Sequence, residues 1–90
     1  MLIMGIDPGI AISGYGLVFS ESKDSKIIEY GVIKTSEKLE TPQRLRQIYE
    51  GYLSLIKQYK PDVVAIEELF FNKNAKTIIS VGQARGAALL

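Results

Sequence analysis

Asp7 and Glu67 are the two side chains of this 90-residue chain best placed to do chemistry. The apolar run Leu2-Ile3-Met4-Gly5-Ile6 ends in a lone carboxylate, Asp7, followed at once by Pro8-Gly9. A second run, Val63-Val64-Ala65-Ile66, ends in Glu67-Glu68. Short apolar runs of this kind read as buried strands, and each finishes with an acid where the chain leaves the core. Converging carboxylates repel unless they are protonated or bridged by cations, so the pair points to a hard divalent metal such as Mg²⁺.

Strand alternation assigns the acids to a side. Ile3, Gly5 and Asp7 share one face of the first strand, and Val63, Ala65 and Glu67 share one face of the strand near residue 65. If the two strands are neighbours in matching register, Gly5 and Ala65 leave room for cations between Asp7 and Glu67. Glu68 has the opposite parity and is expected to face solvent or support the ligands. Taken singly, Asp7 reads more readily as a turn cap and Glu67 as an exposed strand end; the matched parity, together with the family resemblance given below, favours the metal pair.

Composition narrows the alternatives. The formal charge of +1 does not suit a protein that coats nucleic acid through charge alone. Without Cys or His there is no disulfide framework, thiolate nucleophile, His base or ordinary zinc site, so any metal must sit on oxygen ligands. The apolar start lacks a basic leader and is cut short by Asp7, which makes a cytoplasmic protein the expectation. At the other end, Gly86-Ala87-Ala88-Leu89-Leu90 stops on apolar residues with no helix-ending residue after them, as expected of a truncated chain.

The acids need elements to hold them. Strands are expected over Leu2–Asp7, Ser13–Ser20 and Ile27–Thr35, the second and third joined by the polar turn Ser22-Lys23-Asp24-Ser25. They form an antiparallel meander, with Glu29 and Lys34 marking the third strand as an edge. Thr41-Pro42 opens a helix, Thr41 as its cap, and Lys60-Pro61 closes it. Leu45, Ile48, Tyr49, Tyr52, Ile56 and Tyr59 recur along it at three- and four-residue spacing, one stripe against a sheet, with tyrosine hydroxyls reaching the rim. The fourth strand follows by crossover and so lies parallel to the first. Asn74 caps a second helix from about Ala75, with Ile78, Val81, Gly82, Arg85 and Leu89 along one side.

Three further groups stand out. Phe70-Phe71 precedes the polar stretch Asn72-Lys73-Asn74, with Lys76 close by; aromatics there can stack on unpaired bases while lysines meet phosphates, or cover the sheet as core. Gly82 and Gly86, four apart on the second helix, suggest a close backbone approach, either within the chain or to another subunit. Arg85 can contact DNA, pair with an acid or cross a dimer.

Gly5-Ile6-Asp7-Pro8-Gly9, Ser13-Gly14-Tyr15-Gly16, Ala65-Ile66-Glu67, Asn74-Ala75 and Gly82-Gln83-Ala84-Arg85-Gly86, in this order and spacing, resemble the RuvC crossover-junction endodeoxyribonuclease family. The resemblance implies an α/β, ribonuclease H-like mixed sheet with flanking helices, here a partial domain over residues 1–90 truncated after the second helix. It implies metal-dependent resolution of four-way (Holliday) junction DNA in recombination and repair, by a homodimer working with the RuvA and RuvB branch-migration proteins. Asp7 and Glu67 match the first two of the family's four carboxylates, so they are the expected catalytic and metal-binding residues, for Mg²⁺ or Mn²⁺, two per site. The other two acids belong to a C-terminal helix beyond this sequence, so the chain alone is expected to be inactive. Phe70 matches the aromatic that engages bases at the junction centre, and Lys73, Lys76 and Arg85 are the expected DNA contacts. The alternatives are a YqgF-type RNA-processing nuclease, an actin-like or sugar-kinase-type ATPase, and a non-catalytic DNA-binding or dimerisation fragment. The Ile10-Ala11-Ile12 loop lacks the Thr-rich phosphate loop that the ATPase reading requires.

Overall fold

A computed structural model of the chain describes residues 1–66 and 75–90, with the side chains of the last helix described from residue 82 onward. The elements follow in the order β1 (Leu2–Asp7), β2 (Ile12–Glu21), β3 (Asp24–Lys34), α1 (Thr41–Tyr59), β4 (Val63–Ile66) and α2 (Ala75–Leu89). They build a four-stranded sheet of order β3-β2-β1-β4, in which β1 is antiparallel to β2 and parallel to β4. The expected meander, edge position of β3 and parallel crossover are all present.

The β2–β3 hairpin is longer than the sequence suggests. Glu21 pairs with Asp24 and Ser20 with Ser25, leaving only Ser22-Lys23 as the turn. Ser22 adopts a left-handed φ of 53°, and two-residue loops with positive φ fit the twist of paired strands, so the polar tip zips up. Further along, Leu17 pairs with Glu29 but Val18 with Ile27. Ile28 is therefore an extra residue that bends the edge strand.

Helix α1 begins one residue earlier than the Thr41 cap expected from sequence. Glu40 is the cap, and its N–H donates to Gln43 Oε1 at 3.2 Å. Pro42 lies inside the first turn, where no N–H is needed. Lys60 ends the helix in a left-handed conformation, with its N–H on Ile56 O at 2.8 Å. Pro61 follows and bars continuation. The start of β4 is then tied to β1 twice: Leu2 N–H donates to Asp62 Oδ2 at 2.7 Å, and Asp62 N–H donates to Leu2 O at 2.8 Å.

The core lies on one side of the sheet. Met4, Ile6 and Leu17 pack against Ile48 and Tyr52 of α1, with Ala84 and Ala87 of α2 completing the cluster. Burying each large side chain contributes about 1.5 to 3 kcal/mol. Two glycines make the fit possible. A Cβ on Gly31 would lie 2.7 Å from the Tyr15 hydroxyl, and one on Gly51 would lie 2.7 Å from Ile33 Cδ1, where α1 crosses β3. At its described end, α2 turns Ala84, Ala87 and Ala88 to the core and leaves Leu89 exposed. The stripe ending at Leu89, read from the sequence as one side of this helix, is therefore not the core-facing side there; small alanines let the two helices approach instead.

The opposite side of the sheet is uncovered by any described residue of this chain. Cross-strand pairing orders it in rows: Val63, Ile3, Val18 and Ile27; then Ala65, Gly5, Gly16 and Tyr30; then Asp7, Gly14 and Val32. Ile27, Tyr30 and Val32 are 67 %, 76 % and 51 % exposed.

Candidate metal site on the open sheet face

Asp7 ends β1 with its side chain exposed on the open face. Its surroundings are mostly bare backbone. Gly5 pairs with Gly16, and a Cβ on either would meet nothing within 4 Å. Gly14 sits opposite Asp7, where a Cβ would lie 3.7 Å from Asp7 Cβ. A shallow depression runs over these glycines beside the acid. Ala65, Gly5 and Gly16 of the middle row thus separate aliphatic Val63, Ile3 and Val18 from a carboxylate.

The turn after Asp7 is held by buried polar groups. Ser13 is fully buried, and its hydroxyl accepts from Gly9 N–H at 3.1 Å and donates to Gly9 O at 2.5 Å. Gly9 has no space for a side chain, since a Cβ there would collide with Ile12 O. Farther round the loop, Thr35 donates from Oγ1 to Ile10 O at 2.5 Å and from N–H to Ala11 O at 3.0 Å. Arg44 of α1 donates in turn to Thr35 Oγ1 at 2.8 Å. The whole connection from β1 to β2 is therefore pinned to the sheet and to α1.

Tyr52 reaches the same place from the packed side. It is 2 % exposed, and its hydroxyl donates to Gly14 O at 2.9 Å. Burial pushes the phenol up to about 12, with the Ser13 hydroxyl working against this shift and the Asp7 charge adding to it. The hydroxyl thus ends under the sheet rather than at the rim expected for the tyrosines of this helix. A buried phenol needs such an acceptor.

Of the residues singled out from sequence, Asp7 is where strand parity put it. The last described pair of the parallel strands is Ile6 with Ile66, one residue short of Asp7 on β1 and of Glu67 on β4. Glu67, Glu68, Phe70 and Lys73 lie outside the described residues, as does the side chain of Lys76 on α2. Arg85 is half-buried on α2. Gly86 is exposed, and a Cβ there would meet nothing within 4 Å, so packing against the described residues does not explain that glycine. Among the described residues no group of three or more acidic, His or Cys side chains converges. Among the described residues Asp7 offers a hard oxygen donor on the open face, which fits a Mg²⁺-like ion but does not complete its shell. No helix among the described residues is long and apolar enough to cross a membrane.

Sequence reasoning missed the roles of Ser13, Thr35, Arg44 and the Tyr52 hydroxyl. A weak signal for Ser13 exists, because it shares the inward parity of Tyr15 and Leu17 and a buried hydroxyl must find a partner.

The family model for crossover junction endodeoxyribonuclease RuvC matches residues 3–90. Proteins of that name from Alkaliphilus metalliredigens and Alkaliphilus oremlandii are 59% and 52% identical over 90 residues, covering 100% of this chain and 55% of each relative. The chain thus spans about half the length of the curated relatives it matches. Among solved structures, T. thermophilus RuvC in complex with Holliday junction substrate aligns with a TM-score of 0.91 and 33% identity, over 99% of this chain and 55% of that one. A second Thermus thermophilus RuvC structure gives 0.86 and 35% over the same shares. The Aquifex aeolicus PPX-GPPA enzyme, at 17% identity and a TM-score of 0.58 over 97% of this chain and 29% of that one, shares the fold alone. With the mixed sheet, the parallel β1–β4 pair and the matched length, these similarities establish a ribonuclease H-like fold, and the chain belongs to the RuvC family.

Proposed function

We propose that this chain is the N-terminal part of a metal-dependent endonuclease that resolves four-way DNA junctions in recombination and repair. The placement of Asp7 carries the reading: a lone acid at the C-terminal end of β1, on an open face floored by glycine, beside a parallel β4 in matching register. Asp7 and Glu67 serve as ligands for divalent cations, Mg²⁺ or Mn²⁺, two per active site. Such cations, when bound, supply an activated water and charge neutralisation at the scissile phosphate. Asp7 gives a hard oxygen donor, and the bare backbone of Gly5 and Gly16 lets a bulky phosphate strand approach it. Phe70 stacks on bases that unpair at the junction centre, while Lys73, Lys76 and Arg85 meet phosphates. A junction already has bases that unstack easily, whereas linear duplex must first be opened at a cost of a few kcal/mol, so stacking favours the junction. The working form is a cytoplasmic homodimer assisted by RuvA and RuvB. The 90 residues alone are inactive for want of the remaining carboxylates.

The test uses this chain extended by the C-terminal part of the A. metalliredigens relative. Asp7→Asn and Glu67→Gln are each expected to abolish cutting of a four-way junction in Mg²⁺ while junction binding survives. Phe70→Ala should weaken junction processing far more than duplex binding. Parental nicking rates in either acid variant would reject that residue as a ligand.

A further inference from the structure

We propose that Ser13 and Tyr52 are positioning residues for Asp7, a buried two-point clamp that fixes the backbone on either side of its carboxylate. The inference rests on the reading of Asp7 as a metal ligand and adds how this chain aims it.

Neither side chain is on the open face, and neither has a hydrogen bond to Asp7 itself. Ser13 holds both polar groups of Gly9, two residues past the acid, with one hydroxyl that donates and accepts. Tyr52 holds the carbonyl of Gly14, the cross-strand partner of Asp7. Gly9 and Gly14 have no side chains of their own to pack, so beyond the ladder pairing of Gly14 with Asp7 and Val32 no packing holds them in place. Fixation has to come from groups that grip the backbone, and these two do so from the packed side. Both are essentially excluded from solvent, so water cannot substitute for either hydroxyl without opening the core. Their burial also makes the clamp stiff: Tyr52 belongs to the same close-packed core cluster as Met4, Leu17 and Ile48, where a ring has little room to shift.

A carboxylate that is to share a cation with a second ligand must be held in direction as well as in place, and loss of such support lowers metal affinity without removing a ligand. A merely structural role for the two hydroxyls would lower the melting temperature and leave metal affinity alone. The two roles can be separated on the 90-residue chain by NMR, with Mn²⁺ as the probe. The reading is the Mn²⁺ concentration that half-broadens the Asp7 amide, taken well below the lowest melting temperature. Parent, Asp7→Asn, Ser13→Ala, Ser13→Thr, Tyr52→Phe and Ile56→Val are compared, the last as a destabilising change in the same core away from the site.

Ser13→Ala and Tyr52→Phe are each expected to raise that concentration about tenfold. Ser13→Thr, which keeps the hydroxyl, should return it to the parental value, and Ile56→Val should leave it unchanged. Tyr52→Phe keeps the ring, so it carries the test if Ser13→Ala does not fold. Half-broadening within about twofold of the parent in Tyr52→Phe, with Asp7→Asn clearly weaker, overturns the clamp and spares the ligand reading. Equal broadening in parent and Asp7→Asn overturns the ligand reading, and the clamp with it.

Discussion

The two faces of one sheet follow different rules. On the packed face, Met4, Ile6, Leu17, Tyr15 and Ile33 meet α1, and each position is filled or left empty for a stated neighbour: Gly31 for the Tyr15 ring, Gly51 for Ile33. On the open face, Gly5 and Gly16 face space that nothing in the described chain uses. Glycine therefore means opposite things on the two sides of the same sheet. On one side it marks a contact already made, and on the other a clearance kept beside an acid. Packing density identifies the first and emptiness the second, so stability measurements should tell the faces apart.

The widest difference is expected between Ile48→Ala and Val32→Ala. Ile48 is fully buried, so its truncation should cost about 2 to 5 kcal/mol through lost transfer energy and a residual cavity. Val32 is half-exposed on the open face, and its truncation should stay within about 0.5 kcal/mol. Urea unfolding of the two variants checks this, and comparable losses would break the comparison between faces.

Glycine substitutions sharpen it. Gly31→Ala and Gly51→Ala place a methyl 2.7 Å from Tyr15 and Ile33 respectively, and should cost about 1 to 3 kcal/mol from overpacking. Gly5→Ala and Gly16→Ala meet nothing, and among the described glycines none has a positive φ. They should be neutral or stabilise by up to about 1 kcal/mol through the unfolded state. The same denaturation curves provide the reading; destabilisation by Gly5→Ala would show that the open face is not open.

Tyr52 links the faces and gives the comparison a pH signature. Its phenol is held at about 12, above the ordinary value of 10.0, so the folded state favours the neutral ring. That contribution is complete below about pH 10 and is lost as pH rises from there to about 12. Melting curves of the parent should fall more steeply across this window than those of Tyr52→Phe, where the titrating group is gone. Parallel curves would remove the buried hydroxyl from the account.

The smallest effect belongs to Asp7→Asn in the 90-residue chain. An exposed side chain at a strand end supports no packing, and its thermal midpoint should match the parent within about 0.5 kcal/mol of stability. A large loss would mean that the acid serves the fold.

Much of this division was legible in the sequence. Strand parity put Asp7 opposite the face of Met4 and Ile6, and the order of elements followed from turn residues and helix spacing. What stayed hidden depends on docking. The bond from Tyr52 to Gly14 joins residues 38 apart, and no local pattern says which tyrosine of an amphipathic stripe will land beneath a particular carbonyl. The hairpin tip and the Glu40 cap were displaced by a residue or more because several polar residues there satisfy the same turn chemistry. At the described end of α2, alanines rather than Leu89 face the core, since helix-to-helix distance, unreadable from one chain segment, selects small side chains there.

The two hydrogen bonds between Asp62 and Leu2 span 60 residues, and this separation bears on the order of assembly. The meander of β1, β2 and β3 closes through short turns, whereas β4 joins β1 only after α1 has brought the chain back. Closing so long a loop is the entropically most demanding pairing of the fold, and contacts of this range are the ones that slow folding. The β1–β4 pair, described as far as Ile6 and Ile66, is thus expected to close after the meander, with Asp62 as the latch that holds it once formed. A chain emerging from synthesis would have the residues of the β1–β2–β3 meander in hand well before β4 could add to its edge.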